Sequence, residues 1–397
     1  MDWQYVAVPV PVTMVDERAP TVARQLVLKV HSRCNLSCDY CYVYHSVDTG
    51  WRRQPATMTP RTLALVTERI GEHVRRHAIN RLAVVLHGGE PLLAGHDGVD
   101  AVLTAVQAAV PVATTVDFSV QTNGILLDEA FITLFRRHGV RVGVSLDGGR
   151  QANDRHRRYA NGAGSHQRAT TGLRLLAQPG NAAVFGGLLC TVDVRNDPVQ
   201  VYEALLDFEP PVLDLLLPHG NWTNPPPRPA GATTYAAWLI AVFDRWYGRP
   251  HAETRIRLFE AIISRLLGGT SDTEAIGGEQ PGVVVVETDG SYEQSDALKT
   301  TVDGGAATGL HVASHSLDDV LGQLGGAAPA RPPTACRVCP VVSVCGGGLR
   351  AHRYRGGSRE PFDNPSAHCV DLFLLIEHIR QRVTADLLVR QRAVKEV

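Results

Sequence analysis

Three cysteines stand within eight residues near the start of the chain, in the stretch HSRCNLSCDYCYVYH. Cys34, Cys38 and Cys41 are separated by three residues and then by two. Three thiolates leave a structural zinc site one ligand short, because such sites are closed by four protein ligands. An iron–sulfur cube can instead be held at three irons, with its fourth iron open to a small molecule. We favour this interpretation over zinc, and over a thioredoxin-like thiol pair, which the upstream Cys34 does not fit.

A second group of cysteines lies near the end of the chain, in CRVCPVVSVCGGG and SAHC. Its members are Cys336, Cys339, Cys345 and Cys369. Gaps of two and five residues followed by a distant fourth thiol suit a four-cysteine iron–sulfur cluster, and a structural zinc knot is the alternative. The eighth cysteine, Cys190, lies within a predicted strand, and we expect it to be a buried, inert thiol.

The composition describes a globular chain of 397 residues with 44% apolar residues and a net charge of −1. The small net charge argues against general electrostatic binding to nucleic acid or to an anionic membrane. No stretch approaches the roughly 20 apolar residues that span a bilayer, and the start of the chain lacks the pattern of a signal peptide. We expect a cytoplasmic, reduced protein, in which clustered cysteines are metal ligands rather than disulfides.

Six short apolar runs, most of them followed by a helical pattern, must position these cysteines. The first run, QLVLKV, ends just before Cys34, and a helix is predicted after it with Thr59 as its cap and Pro60 in its first turn. Strands that alternate with helices form a parallel sheet. The fold class predicted is therefore α/β, a partial (β/α)6 barrel of TIM type, with its chemistry at the carboxyl ends of the strands.

The alternation stops after a proline-rich connector, and a second unit carries the later cysteines. We predict five parts: an N-terminal segment at 1–24, the barrel at 25–230, a helical connector at 231–279, the auxiliary domain at 280–375 and a C-terminal helix at 376–397.

The first cysteine motif, with Tyr40 before its last cysteine, resembles that of the radical S-adenosylmethionine (SAM) enzymes. The resemblance implies that three cysteines bind a [4Fe–4S] cluster and that the ends of the next strands bind SAM. HGGEP follows the second strand, QTNG the third and SLDG the fourth. The SAM-binding residues implied are Tyr40, Gly88, Gly89, Glu90, Thr122, Asn123, Ser145 and one of Arg155 and Arg157. Glycines permit close backbone approach, and a carboxylate such as Glu90 suits the ammonium of SAM.

The second cysteine group resembles the SPASM extension of peptide-modifying radical SAM enzymes, which carries auxiliary iron–sulfur clusters. The full family pattern has seven cysteines and two such clusters. Here Ser295 and Leu349 stand where the pattern has cysteines, and no cysteine precedes Gly290 in this segment. The resemblance therefore implies one auxiliary [4Fe–4S] cluster, held by the four cysteines of the second group.

Several motifs, among them LPHGNW and FDNPSAHC, resemble the FxsB-type SPASM maturases. That resemblance implies a ribosomal precursor peptide as substrate, an external flavodoxin- or ferredoxin-like electron donor, and a cyclophane product that joins an aromatic ring to a side-chain Cβ. Peptide epimerisation, thioether formation, sulfatase-type oxidation and a zinc-binding interaction module are the alternatives. Strand one begins near residue 25, so no extra leader-binding domain is expected before it.

Closing such a cross-link requires a group that takes a proton from the ring. Related SPASM enzymes place an aspartate directly after the cysteine whose position Ser295 holds, which makes Asp296 the predicted base. Asp147, at the end of a barrel strand, is the rival. Lys29, one of only three lysines, is either a ligand of a substrate carboxylate or a paired or rim lysine.

Overall fold

The computed structural model describes residues 22–249, 251–278, 282–324 and 332–395. Most of the predicted N-terminal segment lies outside the described residues. The strands are β1 (Gln25–His31), β2 (Arg81–Gly88), β3 (Thr115–Thr122), β4 (Arg141–Ser145), β5 (Phe185–Thr191), β6 (Val212–Leu216), β7 (Arg255–Ile256), β8 (Val283–Val286), β9 (Ser291–Glu293) and β10 (Ala307–His311). The helices are α1 (Pro60–Arg76), α2 (Gly95–Ala109), α3 (Glu129–His138), α4 (Arg150–His156), α5 (His166–Leu176), α6 (Pro198–Leu206), α7 (Tyr235–Tyr247), α8 (Arg257–Leu266), α9 (Leu317–Gln323), α10 (Val342–Cys345) and α11 (Cys369–Lys395).

All ten strands belong to one sheet, in the order β10-β9-β8-β1-β2-β3-β4-β5-β6-β7. The strands from β1 to β7 pair in parallel and in chain order, as repeated strand–helix units require. The sheet keeps two edges, at β7 and β10, so the barrel stays open. The predicted α/β architecture with a parallel sheet is confirmed.

Local signals in the sequence explain where the helices begin and end. The Thr59 side chain accepts a hydrogen bond from the backbone N–H of Thr62, and Pro60 occupies the first position of α1, as predicted. Asp128 caps α3 in the same way, and Gly139 ends it in the left-handed conformation that glycine adopts readily. These helices pack on the sheet through a core of aliphatic side chains.

Successive side chains along each strand point alternately into this core and into the interior of the barrel. On β1, Leu26, Leu28 and Val30 are buried in the main hydrophobic core. Lys29 lies between two of them and, since successive side chains point to opposite faces, it faces the barrel interior. It is opposite His87 of β2 in the register of the two strands.

The later part of the chain continues the barrel sheet. β8 pairs in parallel with β1, and β9 and β10 follow in antiparallel pairing, with Gly290 in the turn between β8 and β9 at a φ of 97°. The last helix, α11, begins at Cys369, so the predicted boundary at 375/376 falls inside one helix. The division into domains stays a prediction. None of the described helices is long and apolar enough to cross a membrane.

Candidate active site

The first three cysteines lie in the loop that follows β1. They are free thiols, and burial raises the pKa of Cys34 to about 12 and that of Cys38 to about 11. The charges of Cys38 and Cys41 add to the shift at Cys34, so the three thiols lie close enough to act on one another. Thiols in such a place become ligands only when a metal displaces their protons. The donor set therefore fits a metal centre held by three thiolates.

The spread of the thiols favours a cluster over a single zinc ion. Two groups of three potential ligands have donor atoms within 4.8 Å of one another among the described residues, and neither group contains a cysteine. Thiolates that share one tetrahedral zinc ion lie only about 3.8 Å apart, since each is about 2.3 Å from the metal. Both cysteine groups are more open than that, which suits a larger iron–sulfur centre.

Gly88 and Gly89 bring the end of β2 against the cysteine loop. A Cβ on Gly88 would lie 2.1 Å from the backbone oxygen of His31, and one on Gly89 would lie 1.9 Å from the hydroxyl of Tyr44. No side chain fits in that space. The two glycines are therefore required for packing inside the protein, whatever they also contribute to a ligand.

Glu90 is a buried carboxylate that receives hydrogen bonds from three directions. Thr122 donates its hydroxyl at 2.7 Å, and the backbone N–H groups of Asn123 and Leu92 donate at 2.8 and 3.0 Å. Burial raises the pKa of Glu90, and none of the ion pairs within the described residues includes it. A fixed carboxylate without a cationic partner suits an ammonium group, as expected for SAM.

Thr122 and Asn123 of QTNG lie beside this carboxylate, and Ser145 of SLDG is hydrogen-bonded to the strand that precedes them. The amide of Asn123 donates to Asn35 Oδ1 at 2.7 Å and lies 3.8 Å from the sulfur of Cys34. Ser145 accepts a hydrogen bond from Gln121 at 2.9 Å. Their predicted contacts with SAM stay predictions.

Tyr40, Asp147 and Arg157 form a buried triad beside Cys38. The Tyr40 hydroxyl donates a hydrogen bond to Asp147 Oδ2 at 2.5 Å and accepts one from Arg157 Nη1 at 2.8 Å. The other oxygen of Asp147 accepts the backbone N–H of Thr191 at 3.0 Å. Both oxygens of Asp147 therefore accept hydrogen bonds inside the protein, and its role as a base stays a prediction.

The two arginines left open by the sequence lie in different places. Arg157 donates to the hydroxyl of Tyr40, and its charge lowers the pKa of Cys38. Arg155 points outward and contacts Asp193 at 3.6 Å. Arg157 is therefore the arginine that lies at the first cysteine site.

The four later cysteines come together from three short elements and the start of α11. Each of Cys336, Cys345 and Cys369 has its pKa raised by burial and by the charge of neighbouring cysteines. Arg353 closes the loop between them by donating to the backbone oxygens of Gly347 and Gly348. The donor set fits one centre with four thiolate ligands.

Apolar side chains lie around the two positions where the fuller SPASM pattern has cysteines. Ser295 is followed by a 3-10 helix at Asp296–Thr300, which packs against another at Arg350–Arg353. Leu349 joins a small apolar cluster at this contact. The other members are Ala297, Leu298, Ala306, Ala351 and Phe362. These side chains offer no ligand for an inner cluster.

Asp296 is buried in an ion-pair network, and the two lysines involved are among only three in the chain. Lys29 forms an ion pair with Asp296 and donates to His87 Nδ1 at 3.0 Å. Lys299 lies 3.4 Å from the other oxygen of Asp296. The two ammonium groups hold the pKa of Asp296 well below its usual range despite its burial.

Lys299 also pairs with two further carboxylates that the sequence reasoning missed. Its ammonium lies 2.6 Å from Glu287 and 2.7 Å from Glu293. Burial and the charge of Glu287 raise the pKa of Glu293 to about 8. Lys29 is thus a paired lysine, as one of its two interpretations held, but in the barrel interior. The rarity of lysine in an arginine-rich chain is the signal that points to Lys299.

A cavity of about 690 Å³ lies on the open side of the barrel. Its walls come from β1, β2, β6, α8 and the segment 271–275, and His219 and His352 line it near the second cysteine group. The charge of Asp296 acts on the pKa of His219 and of Tyr42, so the network and the cavity are neighbours. The sequence reasoning missed both histidines.

Comparisons with known proteins agree with this architecture. Residues 28–191 match the family model described as the Radical SAM superfamily. The cysteine-type anaerobic sulfatase-maturating enzyme of Clostridium novyi (strain NT) is 26% identical over 282 residues, which cover 68% of this chain and 72% of that protein. The serine-type enzyme of Klebsiella aerogenes is 25% identical over 360 residues, covering 86% of this chain and 83% of that one.

Solved structures share the fold over most of the chain. Native anSMEcpe with bound AdoMet superposes with a TM-score of 0.77 at 21% identity, covering 91% of this chain and 98% of that one. Streptococcus suis SuiB bound to precursor peptide SuiA gives a TM-score of 0.58 at 13% identity, covering 88% and 76%. At these identities, the similarity concerns the fold alone.

Proposed function

We propose that this chain, which belongs to the radical SAM superfamily through residues 28–191, oxidises a side chain of a ribosomally made precursor peptide. The product proposed is a carbon–carbon bond between an aromatic ring and a side-chain Cβ. The observation that carries the proposed oxidation is Asp296, a carboxylate kept ionised by Lys29 and Lys299 at the junction of barrel and extension. The choice of a cross-link as the product rests on the resemblance to FxsB-type maturases.

When bound, the first cluster and SAM supply a 5′-deoxyadenosyl radical that removes a hydrogen atom from the peptide. Cys34, Cys38 and Cys41 would hold the cluster, and their buried thiols would give up protons to do so. Glu90 is fixed by three hydrogen-bond donors and would take the ammonium group of SAM.

Asp296 is proposed as the base that completes the reaction. Restoring an aromatic ring after radical attack means losing one electron and one proton, and the ring carbon becomes strongly acidic once the electron has left. A weakly basic carboxylate is then sufficient, provided that it is ionised and close. The lysines keep Asp296 ionised throughout the neutral range.

The electron is proposed to go to one auxiliary cluster held by the four later cysteines. Their buried thiols act on one another, as ligands of a common centre would. A flavodoxin- or ferredoxin-like protein is proposed to supply the electron that starts each turnover. Replacing a chemical reductant by flavodoxin and its reductase tests that donor directly.

A second candidate is oxidation of a serine or cysteine side chain to an aldehyde. The sequence similarity to anaerobic sulfatase-maturating enzymes favours it. It uses the same hydrogen abstraction and the same proton acceptor, so Asp296 serves both candidates. The two candidates differ in the group that acts on the side-chain radical: an aromatic ring for the cross-link, and a heteroatom for the aldehyde.

The deciding experiment uses the anaerobically reconstituted enzyme with short peptides encoded beside its gene. A cross-link removes two hydrogens, leaves no group that reacts with a hydroxylamine probe, and suppresses fragmentation between the joined residues in tandem mass spectrometry. An aldehyde reacts with the probe and fragments normally. A product of unchanged mass with an inverted residue would contradict both and indicate epimerisation.

A further inference from the structure

Four aromatic rings form a continuous line between the two cysteine groups. Tyr42 directly follows Cys41 in the chain, and its ring centroid lies 4.8 Å from that of His219. His219 is 5.4 Å from His352, and His352 is 5.0 Å from His368. His368 directly precedes Cys369, so each end of the line adjoins a cysteine ligand.

The imidazoles in this line are held in place by packing and by hydrogen bonds. Burial lowers the pKa of His219 to about 4, and lowers that of His352 well below its ordinary value. One hydrogen bond of 3.1 Å joins His219 Nδ1 to His352 Nε2, and His368 Nε2 donates to the backbone oxygen of Pro218 at 3.0 Å. Edge-to-face contacts at these distances are favourable ring arrangements.

Two rings of the line are reachable from the cavity. His219 and His352 line the cavity on the open side of the barrel, so a peptide lying in it would contact these rings. Asp296, the proposed base, is near enough for its charge to act on Tyr42 and His219. The proposed proton acceptor is therefore a neighbour of the ring line.

We propose that His219, His352 and His368 form the path by which the electron leaves the peptide for the auxiliary cluster at Cys369. This rests on the proposed function. One electron passes from the cross-linked ring radical to the oxidised cluster, which is reduced by one electron, while the ring proton goes to Asp296. No bond forms or breaks within the histidines.

The physical reason is that electron tunnelling decays steeply with distance and is faster through closely packed atoms than across gaps. Ser295 and Leu349 deprive this chain of inner-cluster ligands, so the electron must travel to the outer site unaided. Packed rings fill that interval, and a buried, rigid environment reorganises little when charge passes.

The test compares His219→Leu with His219→Phe, because phenylalanine keeps a ring and leucine does not. His138→Leu is the control, as it removes a half-buried imidazole that bonds to Asp100 on another face of the barrel. All variants are first shown to retain the iron content and circular dichroism of the parent. The main readout needs no peptide: after a flash-generated one-electron reduction of the first cluster, redox equilibration with the auxiliary cluster is followed optically.

We expect equilibration in His219→Leu to be roughly tenfold or more slower than in the parent, and to be largely restored in His219→Phe. With peptide present, the leucine variant should still release 5′-deoxyadenosine but form less product for each molecule released. Parent-like equilibration in His219→Leu would overturn the path. Slow equilibration in both His219→Leu and His219→Phe would also overturn the proposed path, because electron transfer would then require the imidazole itself rather than a packed ring.

Failure of the path is distinguishable from failure of the proposed function. If the parent equilibrates its clusters and the variants do so at the same rate, the path is wrong while the proposed function stands. If the parent contains no second cluster, the proposed electron acceptor fails, and the path fails with it.

Discussion

Lys29, on the first strand of the barrel, forms a buried ion pair with Asp296, which lies 267 residues later in the chain. The pair fixes the proposed base against the barrel interior. It also helps to keep this largely buried carboxylate ionised.

Asp296→Asn should separate radical formation from product formation. The amide keeps the size of the side chain but cannot accept a proton near neutral pH. We expect release of 5′-deoxyadenosine to persist, while product formation falls by on the order of 10²-fold, as for loss of a positioned base. Both are measured by liquid chromatography with mass spectrometry in the same reaction.

Asp147→Asn is the matched comparison, because that residue was the rival base. Its oxygens are used by Tyr40 and Thr191, so the variant should disturb SAM binding or cleavage rather than the later proton transfer. The assignment of Asp296 is wrong if Asp147→Asn cleaves SAM normally yet makes no product, and Asp296→Asn makes it normally.

Lys299→Met should destabilise the protein strongly. It leaves Glu287, Glu293 and Asp296 without the ammonium they share, and losing one partner of a buried ion pair costs about 3–5 kcal/mol. Arg76→Met removes an exposed partner of Asp318, whose ion pair is weakened by solvent, and should destabilise the protein far less. Chemical denaturation of both variants measures the difference, and equal losses would count against a buried network.

Glu293 should make stability fall as the pH rises. Its pKa in the folded protein is raised to about 8, so the native state keeps a proton that the unfolded chain releases near 4.5. The free energy of unfolding therefore decreases with pH between those values. Glu293→Gln removes this effect, so the melting temperature of the variant should rise relative to that of the parent as the pH increases from 4.5 to about 8. Equal dependence of the two melting temperatures on pH would refute the raised pKa of Glu293.

Substitutions in the two cysteine groups should have different effects on SAM cleavage and on product formation. Cys34→Ala should abolish SAM cleavage, because only the first site leaves a position open. Cys345→Ala should retain cleavage and lose product, with some loss of stability since metal binding contributes to folding. Full product from a folded Cys345→Ala variant would exclude the auxiliary cluster as the electron acceptor.

Anaerobic reconstitution should give about eight irons per chain, because the chain has ligands for two four-iron clusters. Iron and zinc are determined together on the same sample. A count near twelve would mean that ligands other than cysteine complete an inner cluster, and a count near four, accompanied by zinc, would favour the zinc alternative at the second site.

Local signals predicted much of the fold. The cap at Thr59 and the proline at Pro60 act through their own backbone geometry, so a sequence reveals them without its tertiary structure. The cysteine motifs were predictable for the same reason, since ligands only a few residues apart are brought together by the local chain itself. Those parts of the site were predictable for that reason.

Interactions across long sequence separations were not predictable. The partners of Lys299 and the line from Tyr42 to His368 depend on how the extension packs on the barrel. Asp147 illustrates the same limit, because its position at a strand end was predictable whereas its contacts with Tyr40 and Thr191 were not.

The parallel pairing of β8 with β1 has a consequence for how this enzyme can be taken apart. β1 lies between β2 and β8, so its backbone is hydrogen-bonded on both sides. A barrel cut free of the extension would present β1 as a naked edge, with its N–H and C=O groups open to pairing with another chain. The barrel and the extension are therefore difficult to exchange between proteins, because the boundary between them lies within one continuous sheet. An engineered chimera would have to supply another strand to pair with β1.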